Sequence, residues 1–165
     1  MLKPLTPNDS KQFLVILQQD TQLLNDLIIV LDGERSAIEQ RDQDKLRALH
    51  TRKENLLTEL STSDVNRQRF LLSFNCKHRS EDILKLIETT PAGVQKVLRD
   101  AWGRLEHAIR ECDQRNRLNE KIIFHSRQNV ERLLSILCGR NDATDTYQQN
   151  GKAAAANRYR SIAKA

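Results

Sequence analysis

The feature that most constrains the fold is the spacing of apolar side chains, which recur every three or four residues along three long stretches. Such spacing keeps one face of an α-helix apolar. The first stretch runs from Phe13 to Ile38, the second from Leu46 to Phe74 and the third from Leu98 to Leu137. Only 5 Gly and 3 Pro occur in 165 residues, so few turns can interrupt these stretches. We therefore predict three long amphipathic helices.

Local signals predict where these helices begin and end. Thr6 can cap the first helix, which we expect to continue through Gly33 to about Gln40 because the apolar stripe continues beyond the glycine. Asp42 opens the second helix, and Gly139 stands where a C-terminal cap would end the last one.

A shorter element is expected between the second and third long helices. Ser80, Glu81 and Asp82 can cap a helix from Ile83 to Glu88. Pro91 then suits the start of the last helix. The expected fold is all-α, with three long antiparallel helices and one short helix in a coiled-coil-like bundle.

The chain divides by composition into residues 1–140, the helical bundle, and residues 141–165, a flexible basic tail. No acidic residue follows Asp145, and the only large apolar side chains of the tail are Tyr147, Tyr159 and Ile162. So few apolar groups cannot offset the entropy lost when a segment becomes ordered.

The net charge of +5 permits an acidic partner such as nucleic acid, but the arrangement of charges argues against one. Between Arg99 and Arg132, acidic and basic residues alternate at helical spacing, which is typical of a solvated helix face. Because the 3 cysteines have no paired spacing and no apolar signal segment precedes the first helix, we expect free thiols in a cytoplasmic protein without membrane insertion.

Motifs of enzymes and metal sites are absent from the sequence. It contains neither a Gly-rich phosphate loop nor an HExxH pair. Cys76 and His78 form one pair of possible zinc ligands without the second pair that a structural zinc site requires. We expect no enzymatic activity, no cofactor and no metal.

The apolar stripe of the third stretch, which we call the seam of the last helix, is interrupted by three polar residues that have two possible interpretations. Asn116, Asn119 and Ser126 occupy core-facing positions of this stripe. A buried Asn can fix the register of packed helices, or the stretch can face a partner and stay hydrated until that partner binds. Two aromatic residues are equally open: Trp102 is a core anchor or a ligand contact, and Tyr147 is incidental or a docking anchor.

The chain resembles a known family, the FlgN flagellar type III export chaperones, in the order and spacing of its segments. The resemblance rests on LLNDLIIVLDGERSAIEQRDQDKLRALHTRKENLLTEL (23–60), NRLNEKII (116–123), TYQQNG (146–151) and the basic C-terminal run. It implies a cytoplasmic chaperone that binds the C-terminal amphipathic helix of hook-filament junction proteins, prevents their premature association and delivers them to the export gate of the flagellar export apparatus.

The resemblance also implies roles for particular residues. Tyr147 would dock at the export gate. The client helix would contact the seam of the last helix, at Ile109, Cys112, Asn116, Asn119, Ile123, Ser126, Val130, Leu133 and Leu137.

Two other classes of protein remain to be weighed. A basic helical regulator that binds nucleic acid would find its best support in the basic tail, whereas a purely structural coiled coil would leave no apolar groove open. Steep salt dependence of DNA binding would identify the regulator, because phosphate contacts release counterions.

Overall fold

The computed structural model describes residues 2–137, which form four helices and no strand. These are α1 (Pro7–Gln40), α2 (Gln43–Ser73), α3 (Ser80–Glu88) and α4 (Ala92–Leu137). The all-α prediction is confirmed, including three long helices, one short helix and a first helix that ends at residue 40. The predicted cap at Gly139, the boundary at 140 and the tail 141–165 lie outside the described residues.

Both predicted starts of the first two helices are formed by side-chain caps. Thr6 Oγ1 accepts a hydrogen bond from the Asp9 N–H at 3.2 Å, and the Asp9 carboxylate accepts one from the Thr6 N–H at 3.0 Å. The Thr6 hydroxyl also donates to the Asp9 carboxylate, and this bond together with the one from the Thr6 N–H lowers the pKa of Asp9. Asp42 accepts from the Lys45 N–H at 3.0 Å, after Arg41 has ended α1 in the left-handed conformation at φ 57°. The chain thereby reverses within two residues.

Gly33 lies inside α1 where α2 approaches closely. A Cβ atom at this position would lie 3.2 Å from Cδ1 of Leu49, which is tighter than ordinary van der Waals contact. The glycine therefore lowers the helix propensity of α1 but allows the side chain of Leu49 to pack against its backbone.

Contacts across the bundle give the direction of each helix. Asp20 of α1 pairs with Arg67 of α2, and Glu34 pairs with Lys53, so later positions on α1 meet earlier positions on α2. The two helices are therefore antiparallel.

α4 runs parallel to α1. Cys112 donates to the carbonyl of Leu24 at 3.4 Å and Asn119 donates to the carbonyl of Leu31 at 2.8 Å, and both pairs are separated by 88 residues. The three long helices therefore alternate in direction along the chain, up, down and up.

The core lies where all four helices meet. Phe13 of α1 stacks on Phe70 of α2 with ring centroids 5.3 Å apart. From α3, the fully buried side chains are Ile83, Leu86 and Ile87. Trp102 of α4 is buried in the same cluster, which favours the core-anchor interpretation over the ligand contact.

The start of α3 differs from its prediction. Arg79 is the N-cap residue and makes no side-chain capping bond. Ser80 is occupied elsewhere, because its hydroxyl donates to Glu106 at 2.5 Å and accepts from the Trp102 indole at 3.1 Å. Its role is to join α3 to α4.

By length and composition alone, α1 could cross a membrane, since one 18-residue window has a mean hydropathy of 1.3. Core helices of soluble proteins pass the same test. Here α1 buries Phe13, Leu17 and Leu31 within the bundle. We therefore assign it to the protein core.

We expect the two described thiols to be unreactive in the folded protein. Cys76 and Cys112 are free and buried. Burial raises the pKa of Cys76 to about 11, and it also raises the pKa of Cys112 above its ordinary value. Because the thiolate is the reactive form, a Cys138→Ser variant should react with Ellman's reagent only after denaturation. Rapid labelling of the native variant near about pH 8 would contradict this packing.

Candidate partner-binding groove

Polar residues on the α2 seam are matched by acidic residues of α1. The hydroxyl of Ser63 and the guanidinium of Arg67 both donate to Asp20, whose exposed fraction is 1%. We call Asp20, Ser63 and Arg67 the lower polar layer. Their mutual hydrogen bonds compensate the loss of hydration in the seam.

A second polar layer joins all three long helices. Lys53 Nζ of α2 donates to Glu34 of α1 at 3.1 Å and to Asn116 of α4 at 3.3 Å. Asn116 donates in turn to Glu120 at 2.8 Å. We call Glu34, Lys53 and Asn116 the upper polar layer.

Asp20 and Glu34 were not predicted to be functional or core residues, although the sequence contains a signal for them. Their positions complete a regular 4-3 series on α1 at residues 13, 17, 20, 24, 27, 31 and 34. Both are buried, as are the apolar members of the series. A search for polar residues within an apolar series would have identified them.

At the upper polar layer, a groove of about 690 Å³ opens between α1, α2 and α4. Its apolar lining comes from one residue on each helix: Ile38, Leu46 and Ile123. Ile123 is 52% exposed although it continues the seam of α4. Among the described residues, an apolar surface between three helices is thus left open to solvent.

Basic and acidic side chains lie on opposite walls of this groove. Arg47, His50 and Lys53 line the α2 wall, whereas Glu34 of α1 and Glu120 of α4 line the others. The groove is therefore basic along one side and acidic along the other.

The nine predicted client-binding residues do not form one open surface. Cys112 and Asn119 are buried, and each donates to a backbone carbonyl of α1. Neither side chain is open to a partner in this structure, and the bond of Asn119 favours the register interpretation. Asn116 belongs to the upper polar layer and Ile123 to the groove.

The remaining five are all exposed along α4. Ile109 is 45% exposed and lies outside the groove lining. Ser126, Val130, Leu133 and Leu137 are all exposed. Together with Leu134 and Ile136, the last three give the end of α4 a broad apolar surface. Whether any of the nine contacts a client stays a prediction.

Two further predictions concern Tyr147 and metal binding. Tyr147 lies outside the described residues, so its gate-docking role stays a prediction. Within residues 2–137, no group of three or more His, Cys, Asp or Glu side chains could hold a metal ion.

An apolar groove between packed helices is the kind of surface in which helix-in-groove proteins bind an amphipathic helix. A protein-family model described as FlgN protein matches residues 1–155, and the chain belongs to the FlgN family. Membership supports a general role as a flagellar export chaperone. Searches of curated proteins and of solved structures found no match.

Proposed function

We propose that this chain is a cytoplasmic chaperone that binds the C-terminal amphipathic helix of hook-filament junction proteins. The observation that carries this proposal is the family match over residues 1–155, in a chain whose bundle leaves apolar surface open on α4. Covering a client's apolar helix would prevent the client from associating early, since exposed apolar patches drive association.

This function can be tested by measuring how much of the junction proteins a deletion strain secretes. Deleting the gene should sharply lower the secreted amount of the junction proteins and leave secretion of the hook subunit unchanged. A plasmid copy should restore secretion. Normal export of the junction proteins in the deletion strain would contradict the proposal.

Delivery to the export gate is the second part of the proposal, and we assign it to Tyr147. Tyr147→Ala should retain client affinity within about twofold, because the position lies outside the predicted seam, but should reduce secretion of the junction proteins by about tenfold if the ring is an interface anchor. Tyr159→Ala, another aromatic change in the same segment, is the matched control. Equal secretion by the two variants would remove Tyr147 from gate docking.

Ion pairs along α4 support a protein partner over nucleic acid. Arg115 bonds Glu111 and Asp32, and Arg117 bonds Asp113 at 3.0 Å. Guanidinium groups paired with carboxylates do not form the one-signed stripe that phosphate binding requires. We infer that the long helix serves no nucleic-acid function, and a shallow salt dependence of any DNA retention would agree.

A further inference from the structure

We propose that the groove lined by Ile38, Leu46 and Ile123 is the seat of the client helix, and that its basic α2 wall fixes the direction in which that helix lies. This inference rests on the proposed function, and it names a surface that differs from the predicted seam. Only Asn116, Asn119 and Ile123 of that seam line the groove.

The internal packing of α4 shows why the seam cannot bind a client helix along its whole length. Leu98, Leu105, Cys112 and Asn119 are spaced by seven residues and are each at most 8% exposed. These positions are already covered within the bundle. On the other heptad position of the seam, Ile109 and Ile123 are 45% and 52% exposed, and of these two only Ile123 lines the groove. An incoming helix therefore finds uncovered apolar surface there.

Charge complementarity identifies the occupant as an amphipathic helix with one acidic flank. The side chains of Arg47 and His50 are 78% and 66% exposed, and their partners Asp44 and Glu54 are themselves exposed. Such surface pairs are weak, so client carboxylates could replace them. Lys53 uses two of its three donors within the upper polar layer.

The same asymmetry selects one direction for the bound helix. A helix with its apolar stripe on the groove floor exchanges its two flanks when its direction is reversed. In the reversed direction an acidic flank would face Glu120 and Glu34, and like charges repel. Between Asn116 and Ile123 the α4 wall is about 10 Å long, so the groove holds about two turns of the client helix.

A titration with variants on α2 tests the seat of the helix. The probes are fluorescent peptides that contain the C-terminal amphipathic helix of the junction proteins encoded in the same genome. Leu46→Asp should weaken binding by at least about tenfold because it places a charge on the groove floor. Leu57→Asp is the control, since Leu57 is 47% exposed on the same helix outside the groove lining, and it should change affinity by less than about twofold. Circular dichroism should show both variants folded.

Exchanging the charges of the α2 wall and of the peptide flank tests the direction of the bound helix. The double variant Arg47→Glu/His50→Glu should bind the peptides about tenfold more weakly, and added salt should reduce this difference. Peptides whose acidic flank is replaced by lysine should bind this variant better than they bind the wild-type protein. If the exchange fails to restore affinity, the proposed direction is wrong.

The results of these titrations distinguish failure of the proposed groove from failure of the proposed function. If wild-type protein binds the peptides and Leu133→Asp abolishes binding while Leu46→Asp leaves it intact, the groove is overturned and the chaperone function stands. If Leu46→Asp unfolds the protein, Ile123→Asp on α4 replaces it in the same comparison. Absence of binding by the wild-type protein would overturn the function and the groove together.

Discussion

Replacing Asp20 by alanine should lower the free energy of unfolding by about 3 kcal/mol. The change would leave the guanidinium of Arg67 in the α1–α2 seam without its buried partner, where only 18% of the side chain is exposed. Arg67 would keep Asp64 and some solvent, which places the expected loss at the lower end of the range for a broken buried pair. Urea denaturation followed by circular dichroism measures the effect.

Two further variants distinguish a buried pair from general sensitivity of α1. Asp20→Leu combined with Arg67→Met removes both charges and should restore stability to within about 1 kcal/mol of the wild-type protein. Glu39→Ala removes an exposed carboxylate from the same helix and should change stability by less than about 0.5 kcal/mol. If the double variant is as unstable as Asp20→Ala, the charged pair is not the source of the loss.

The second large effect is expected at Ile123. Ile123→Asp places a charge on exposed apolar surface shared by the predicted seam and the groove. Client-peptide affinity should fall by about 2–4 kcal/mol if this residue is a central anchor. The melting temperature of the free protein should move little, because the side chain is already half exposed.

Control substitutions separate binding from folding. Ile29 on α1 is 68% exposed and lies outside the groove lining, so Ile29→Asp should retain both stability and affinity. Leu105 is fully buried, so Leu105→Asp should unfold the bundle. Unchanged affinity for Ile123→Asp, or collapse of its fold, would move the client site to another face.

Periodicity predicted the helices because each one carries an apolar stripe that the bundle buries over part of its length. The seam from Leu46 to Phe74 does face the bundle interior, and Lys53, Ser63 and Arg67 are its polar members. The sequence of α2 alone could not show which residues of α1 pair with these three polar side chains. Asp20 and Glu34 lie far away in sequence, and pairing depends on the relative register of two antiparallel helices.

Asn119 shows the same limit at the candidate site. Its place on the seam follows from the sequence, but the carbonyl of Leu31 that accepts its bond comes from a parallel helix 88 residues earlier. Spacing along one helix cannot tell a covered seam position from an open one. For this reason the predicted seam combined Cys112 and Asn119, which are buried, with Ile123, which is exposed.

The groove was not predicted because no single segment contains it. Its floor combines Ile38 near the end of α1, Leu46 near the start of α2 and Ile123 late in α4. The sequence signals for these residues are ordinary apolar positions within helices. They become a site only through the register of α4 against the α1–α2 hairpin.

Calorimetric titration of the full chain with a full-length junction protein is the most direct test of the proposed chaperone function. We expect a saturable complex with Kd at or below about 1 μM, which is lost when the C-terminal helix of the junction protein is deleted. Binding that survives this deletion, or no binding to any junction protein of the same organism, would show that the chain does not act by holding that helix.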